Sequence, residues 1–271
     1  MRSGWRRWLR RGLLTLPWLL AGCVTATALR APVSLPFDFV CNLASAVEDP
    51  ALSTALDGKV RVVFCQHGLW RTPMSLDRLE RSLAVHGYEV INVGYPSTED
   101  FLAGHAARLR DAVEARARRG AIDEIAFIGH SMGGLVIQEY LRMSDARPPH
   151  RCVYLASPHR GAILADKRRH WFGFQFAMGD RAALQLLTTD PQHRKPIPFG
   201  DRSGTVVGDV GPGNRSIPGN DDGTVGVDEA TFAGAADSVT VPYGHTSITV
   251  RERVIRQVLH FLQAGHFDHG A

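Results

Sequence analysis

Apolar positions along this chain switch between two periods. Residues 59–65, 88–93, 122–128 and 152–156 are compact runs rich in Val, Ile, Phe and Tyr, the pattern of strands buried in a sheet. Between them lie helical patterns. Residues 75–86 place Leu76, Leu79 and Leu83 on one face before Gly87, residues 100–119 run to Gly120 with Gly104 weakening their first turn, and residues 132–141 follow the third strand. Further on, residues 204–210 and 236–241 read as strands and residues 182–187 as a short helix. Residues 248–261 read as a closing helix that presents Ile248, Val250, Val254, Ile255, Val258 and Leu259. Strands alternating with helices of this length predict an α/β fold: βαβ units, a mainly parallel central sheet flanked by helices, and right-handed crossovers.

Two stretches break the rhythm. Residues 23–58 are punctuated by proline and form a lead-in to the domain expected over 59–271. Residues 159–218 form an irregular insertion carrying Trp171, Phe172, Phe174 and Phe176 beside Arg168, Arg169 and His170. Such a segment either walls or lids a ligand pocket, or simply packs its aromatics onto the main core. With 271 residues, 44% of them hydrophobic and 21% charged, one large core is expected.

The net charge of +4 suggests basic partners until its distribution is followed. Residues 1–22 hold Arg2, Arg6, Arg7, Arg10 and Arg11 and no acid, and the remaining 26 basic and 27 acidic residues leave −1. The body therefore has no overall positive field for nucleic acid. Those first 22 residues read as a signal peptide, because the apolar run from Leu13 to Ala21 is too short to span a bilayer. Leu20-Ala21-Gly22-Cys23 resembles the lipobox of bacterial lipoproteins, which implies lipidation at Cys23 and peripheral membrane contact through that anchor. Without lipidation the protein would be periplasmic or secreted. Arg6-Arg7-Trp8-Leu9 is similar to a twin-arginine signal, so the export route stays open. Cys41, Cys65 and Cys152 lack the Cys-x-x-Cys spacing of zinc or redox sites, and a disulfide is not indicated.

Residues 129–134 read Gly-His-Ser-Met-Gly-Gly. A nucleophilic serine on a tight strand-to-helix turn needs small neighbours, and here Ser131 follows a strand pattern and opens a helical one. Its hydroxyl also needs a base, and the base needs a carboxylate. His245, in the loop between a late strand and the closing helix, is the candidate base. His130 and His67 are expected to be structural, and His260, His266 and His269 to lie outside the chemistry. For the acid, Asn220-Asp221-Asp222-Gly223 offers two adjacent carboxylates; Asp222 is the choice and Asp221 the alternative. The oxyanion requires backbone donors. Met132 supplies one by position, and Leu69 in Gln66-His67-Gly68-Leu69-Trp70 the other.

From residue 59 to residue 261 the chain resembles the α/β hydrolase superfamily, particularly bacterial lipases and esterases. The resemblance rests on His67-Gly68-Leu69, on residues 129–134, on residues 220–225 and on Gly244-His245-Thr246. Ser157-Pro158-His159-Arg160-Gly161 looks like a turn of the same group, with His159 structural. The resemblance implies cleavage of carboxylic esters through an acyl-enzyme, with no cofactor. Some relatives carry structural calcium, which Asp201, Asp209, Asp221 and Asp228 leave open. An apolar acyl-ester or lipid substrate is favoured. A thioesterase, an amidase or an acyltransferase would use the same triad, and a lipid- or peptide-binding lipoprotein without catalysis is the alternative of another class. Oligomeric state is not readable from the sequence.

Overall fold

The computed structural model describes residues 44–52, 57–170 and 181–270, all within one compact unit of residues 34–271. The expected signal peptide, Cys23, Cys41 and the aromatics Trp171, Phe172, Phe174 and Phe176 lie outside the described residues.

Six strands form one sheet: β1 (Arg61–Gln66), β2 (Glu89–Val93), β3 (Glu124–His130), β4 (Arg151–Leu155), β5 (Ser203–Gly208) and β6 (Asp237–Val241). Their order is β2-β1-β3-β4-β5-β6, and every neighbouring pair is parallel. Among the described residues the helices are α1 (Asp77–Val85), α2 (Leu102–Ala117), α3 (Met132–Leu141), α4 (Ile163–Arg168) and α5 (Glu252–Ala264). A parallel sheet covered on both faces buries side chains of both parities, which is why its strands read as nearly continuous apolar runs. In β1, Val63 and Cys65 enter a core shared with Leu79 and Leu83 of α1 and Val254, Ile255, Val258 and Leu259 of α5. Val62 and Phe64 enter the opposite core, shared with Leu102, Leu109 and Val113 of α2 and Val136 and Tyr140 of α3. Truncating a side chain as deeply buried as Leu83 to alanine costs about 2–5 kcal/mol.

The chain leaves β1 for the β2 edge and returns to β3 on the other side of β1. Connections running to opposite sides open a crevice at the carboxyl ends of β1 and β3, where open α/β sheets bind ligands. Residues 67–70 and Ser131 follow those two strand ends.

Three expectations need correction. The closing helix is not continuous: residues 248–250 form a 3₁₀ turn, Arg251 is extended (φ −78°, ψ 129°), and α5 starts at Glu252 and runs to a left-handed Gly265. Ile248 reaches the same core as Val254 and Val258, so burial periodicity ran across a break in the backbone. The helix expected over 182–187 is a 3₁₀ turn at Leu184–Leu186. Finally, the strand read at 204–210, within the irregular stretch 159–218, runs from Ser203 to Gly208. This is β5, which lies in the sheet between β4 and β6; Ser203, Gly204, Thr205 and Gly208 leave it few apolar side chains. α4 gave no signal at six residues.

Candidate active site

Ser131 stands between β3 and α3 with φ 54° and ψ −126°, backbone that L residues rarely adopt. Such geometry costs of order 1–3 kcal/mol and persists only where its surroundings enforce it. Here the Ser131 N–H donates to Leu155 O at the end of β4 (2.9 Å), and Gly134 N–H donates to Ser131 O (3.0 Å). The flanking glycines are required by close approach. A Cβ on Gly129 would lie 2.5 Å from the Gly134 backbone, and one on Gly133 would strike Gln66 O and come within 2.6 Å of His67 O. The turn holds the hydroxyl clear of the backbone at the N-terminus of α3, where unpaired N–H groups favour developing negative charge.

His245 reaches Ser131 across the crevice. Its Nε2 is 3.0 Å from Ser131 Oγ, and its Nδ1 is 2.7 Å from Asp222 Oδ2. With Nδ1–H donating to the carboxylate, Nε2 is left as the acceptor for the serine proton. The other oxygen, Asp222 Oδ1, accepts from Thr224 N–H (2.9 Å) and Val225 N–H (2.7 Å), so the buried carboxylate has partners on both sides. Asp221 is buried too but turns away from this relay. Its oxygens accept from Gly223 N–H (2.6 Å) and Asn214 N–H (2.9 Å), and its backbone bridges to Gly226. The structure thus brings Ser131, Asp222 and His245 together and uses Asp221 to brace the turn.

Across from the serine lies the loop after β1. Gly68 sits so close that a Cβ there would be 3.0 Å from Ser131 Cβ. His67 Nδ1–H donates to Gly68 O (2.9 Å), which also accepts from Arg71 N–H (3.2 Å). Fixing that carbonyl fixes the trans peptide it belongs to, and with it the opposed Leu69 N–H. Among the described residues, neither Leu69 N–H nor Met132 N–H donates to a protein acceptor. His67 is itself braced: Tyr95 stacks on it at 4.3 Å and donates from its hydroxyl to His67 O (2.5 Å). Trp70, next in the loop, has φ 60° and is exposed.

The histidines expected to stand outside the chemistry make structural contacts. His130 is buried, donates from Nε2 to His245 O (3.0 Å) and lies 4.9 Å from the His245 ring, so it supports the base without joining the relay. Burial holds its pKa well below the usual value, with the nearby His245 and Arg71 adding to the effect. Burial likewise depresses His67 to about 4 and His159 to about 3. Gln138 Nε2 donates to His159 Nδ1 (2.7 Å), and Phe232 packs against the His159 ring. His260 bonds His266 O, and His269 pairs with Asp237, all away from the site. Among the described residues no cluster of three or more His, Cys, Asp or Glu side chains could hold a metal. Asp209 and Asp221, two of the four calcium candidates, spend their oxygens on Gly211 N–H, Asn220, Gly223 N–H and Asn214 N–H. One residue at the site carried no sequence signal. Glu229 bonds both the acid's loop and the start of α4, and the second partner is 66 positions away.

A family profile described as the alpha/beta hydrolase family matches residues 62–266. The chain belongs to this family. Among solved structures, a lipase of Bacillus licheniformis, BlEst2, is similar in its mature form at 20% identity and a TM-score of 0.55, over 80% of this chain and 92% of that one. Its propeptide form gives 20% identity and a TM-score of 0.59 over 84% of this chain, which spans 54% of that longer chain. A metagenomic carboxyl esterase, MGS0156, is similar at 19% identity and a TM-score of 0.54, over 71% of this chain and 66% of that one. At these identities the likeness is one of fold. No curated protein matches the chain in sequence.

Proposed function

We propose that this α/β hydrolase cleaves carboxylic esters through an acyl-enzyme on Ser131, as an esterase or lipase. The observation that carries the reading is the unbroken relay from Asp222 Oδ2 through His245 to Ser131 Oγ, with bonds of 2.7 and 3.0 Å. Ser131 Oγ attacks the ester carbonyl while His245 Nε2 takes its proton. The oxygen that gains charge lies between Leu69 N–H and Met132 N–H. His245 then gives its proton to the leaving alcohol; a water, deprotonated by the same nitrogen, attacks the acyl carbon, and His245 returns that proton to Ser131 Oγ as the acid leaves. Asp222 keeps Nδ1 protonated throughout and stabilises the cation formed in each half-reaction. No step calls for a cofactor.

An apolar acyl substrate is the preferred class. The lipase and carboxyl esterase folds support it by analogy, as does the aromatic run at residues 171–176. The test is a fluorophosphonate probe with full-length protein, followed by a panel of esters, thioesters and amides of matched acyl length. Labelling no better than in Ser131→Ala would sink the hydrolase reading in favour of a binding lipoprotein. Turnover of thioesters or amides alone would move it to those classes, and acyl transfer to an added alcohol in preference to water would make it an acyltransferase. A lipase, as opposed to an esterase, must turn over long-chain esters. The same reading includes export and lipidation at Cys23. Radiolabelled lipid should enter the wild type and not Cys23→Ala; equal incorporation would refute the anchor.

A further inference from the structure

We propose that Glu229 is a positioning residue for the triad, its buried carboxylate clamping the Asp222 loop to the start of α4 and, when ionised, adding a second negative charge to the field at Asp222. The inference rests on the reading of Ser131, Asp222 and His245 as that triad.

Glu229 is buried, and its two oxygens are divided between two parts of the fold. Oε2 accepts from Gly226 N–H at 2.6 Å, and Oε1 accepts from Ile163 N–H at 2.6 Å. Its own carbonyl accepts from Arg160 N–H (3.3 Å). Gly226 adjoins Val225, whose N–H holds Asp222 Oδ1, and Gly226 also bridges to Asp221. Ile163 is the first residue of α4, in the segment between β4 and β5. One side chain therefore ties the turn that presents Asp222 to an element 66 positions earlier in the chain. Nothing in that arrangement is dictated by core packing, where an apolar side chain of the same size would serve.

The choice of a carboxylate has an electrostatic consequence. Both bonds to Glu229 come from backbone N–H groups, and the charged groups that face it are Asp222 and Asp166, both acidic. Asp166, on α4, is itself engaged by Thr188. Burial, with these two acids, pushes the Glu229 carboxyl above its usual range, while two charge-assisted bonds favour the ionised form. His245 is faced by Asp222, by Ser131 and by the neutral ring of His130. When His245 takes the serine proton, an ionised Glu229, coupled to Asp222, adds to the field that stabilises the imidazolium.

The experiment compares wild type, Glu229→Gln and Glu229→Asp as full-length proteins, with a short chromogenic ester across the pH range. Glu229→Gln is expected to lower kcat about tenfold with KM within about twofold, and to move the acid limb of kcat/KM to lower pH because the imidazolium has lost a stabilising charge. Glu229→Asp keeps the charge but not the reach, so kcat falls while the limb stays with the wild type. A Glu229→Gln enzyme whose acid limb coincides with the wild type, whatever its kcat, overturns the electrostatic role; one that matches wild-type kcat overturns the clamp. Should Glu229→Gln fail to fold, Glu229→Asp decides: reduced kcat at unchanged limb supports the proposal, and wild-type kcat overturns it. Wild-type protein with no Ser131-dependent turnover would overturn the esterase reading and this inference with it. Wild-type turnover with an unaltered Glu229→Gln profile removes this inference alone.

Discussion

His245 is docked on Asp222 twice: its backbone N–H donates to Asp222 O at 2.8 Å, and its ring Nδ1 meets Asp222 Oδ2 at 2.7 Å. Two bonds between the same two residues, one joining their main chains and one joining their side chains, fix both the loop and the ring. The imidazole therefore arrives at Ser131 with its tautomer and orientation already set.

That double contact separates the two adjacent aspartates by experiment. Asp222→Asn keeps the backbone bond but presents an amide to Nδ1, and kcat should fall by roughly 10³–10⁴ with little change in melting temperature. Asp221→Asn does the reverse. It disturbs the acceptors for Gly223 N–H and Asn214 N–H and should cost about 1–3 kcal/mol of stability while the folded enzyme keeps most of its kcat. Kinetics and thermal melts on both variants check this, and a catalytic defect in the Asp221 variant alone would exchange their roles.

The oxyanion loop gives a second contrast. His67→Phe retains a ring to stack on Tyr95 but removes the donor to Gly68 O, so the Leu69 peptide is less firmly held. Because the Leu69 N–H itself remains, the fall in kcat should be smaller than the ~10²–10³ that follows deletion of an oxyanion donor. KM should barely move. Steady-state kinetics with one ester suffices, and an unchanged kcat would show that Arg71 N–H and Tyr95 hold the peptide without His67.

Acid should destabilise the fold before it protonates carboxylates. His67 and His159 have folded pKa values of about 4 and about 3, below the ordinary 6.5. For a group depressed on folding, the unfolded chain binds the proton first. The contribution is complete above 6.5 and is lost as pH falls from there towards 4 and 3, at most about 2 kcal/mol per histidine by about pH 5. Glu229 works in the opposite direction: its raised carboxyl pKa favours the fold most below the ordinary 4.5 and less as pH rises. Melting temperatures measured between about pH 7.5 and about pH 5 should drop, and less steeply in His159→Gln. Equal slopes would remove His159 from the account.

Glycine at the elbow is a matter of space. Gly133→Ala drives a methyl against the carbonyls of Gln66 and His67, and these are backbone atoms that cannot rotate away. A loss of at least about 3 kcal/mol is expected, with fluorophosphonate labelling lost in parallel. Urea titration and labelling check the two together.

Cys65 and Cys152 should resist thiol reagents until the protein unfolds. Both are free and buried, in the cores on opposite faces of the sheet, and burial pushes the Cys152 thiol to about 12. Reaction of both at the rate of an exposed thiol in native protein would contradict the packing.

Much of this was legible in the linear pattern because it is local. A strand of Ile125, Phe127 and Ile128 running into Gly-His-Ser-Met-Gly-Gly specifies its own turn, since small residues and a reversed period are properties of neighbours. The break at Arg251 and the short α4 were not legible, and β5 was legible only to within two residues at its ends. They depend on what packs against them: β5 ends where its pairing with β4 and β6 ends, which its own residues do not mark.

Sequence by itself determined which residue types the site has to work with: one serine on an elbow, a loop histidine, two aspartates side by side and a His-Gly loop. Tertiary structure decided which aspartate faces the base. Adjacent side chains in a tight turn point apart, and only the position of His245, 23 residues on, distinguishes Asp222 from Asp221. It alone also revealed Glu229, whose two partners lie 3 and 66 positions away. A buried carboxylate acquires its role from the N–H groups that folding delivers to it, and no local pattern records where those come from.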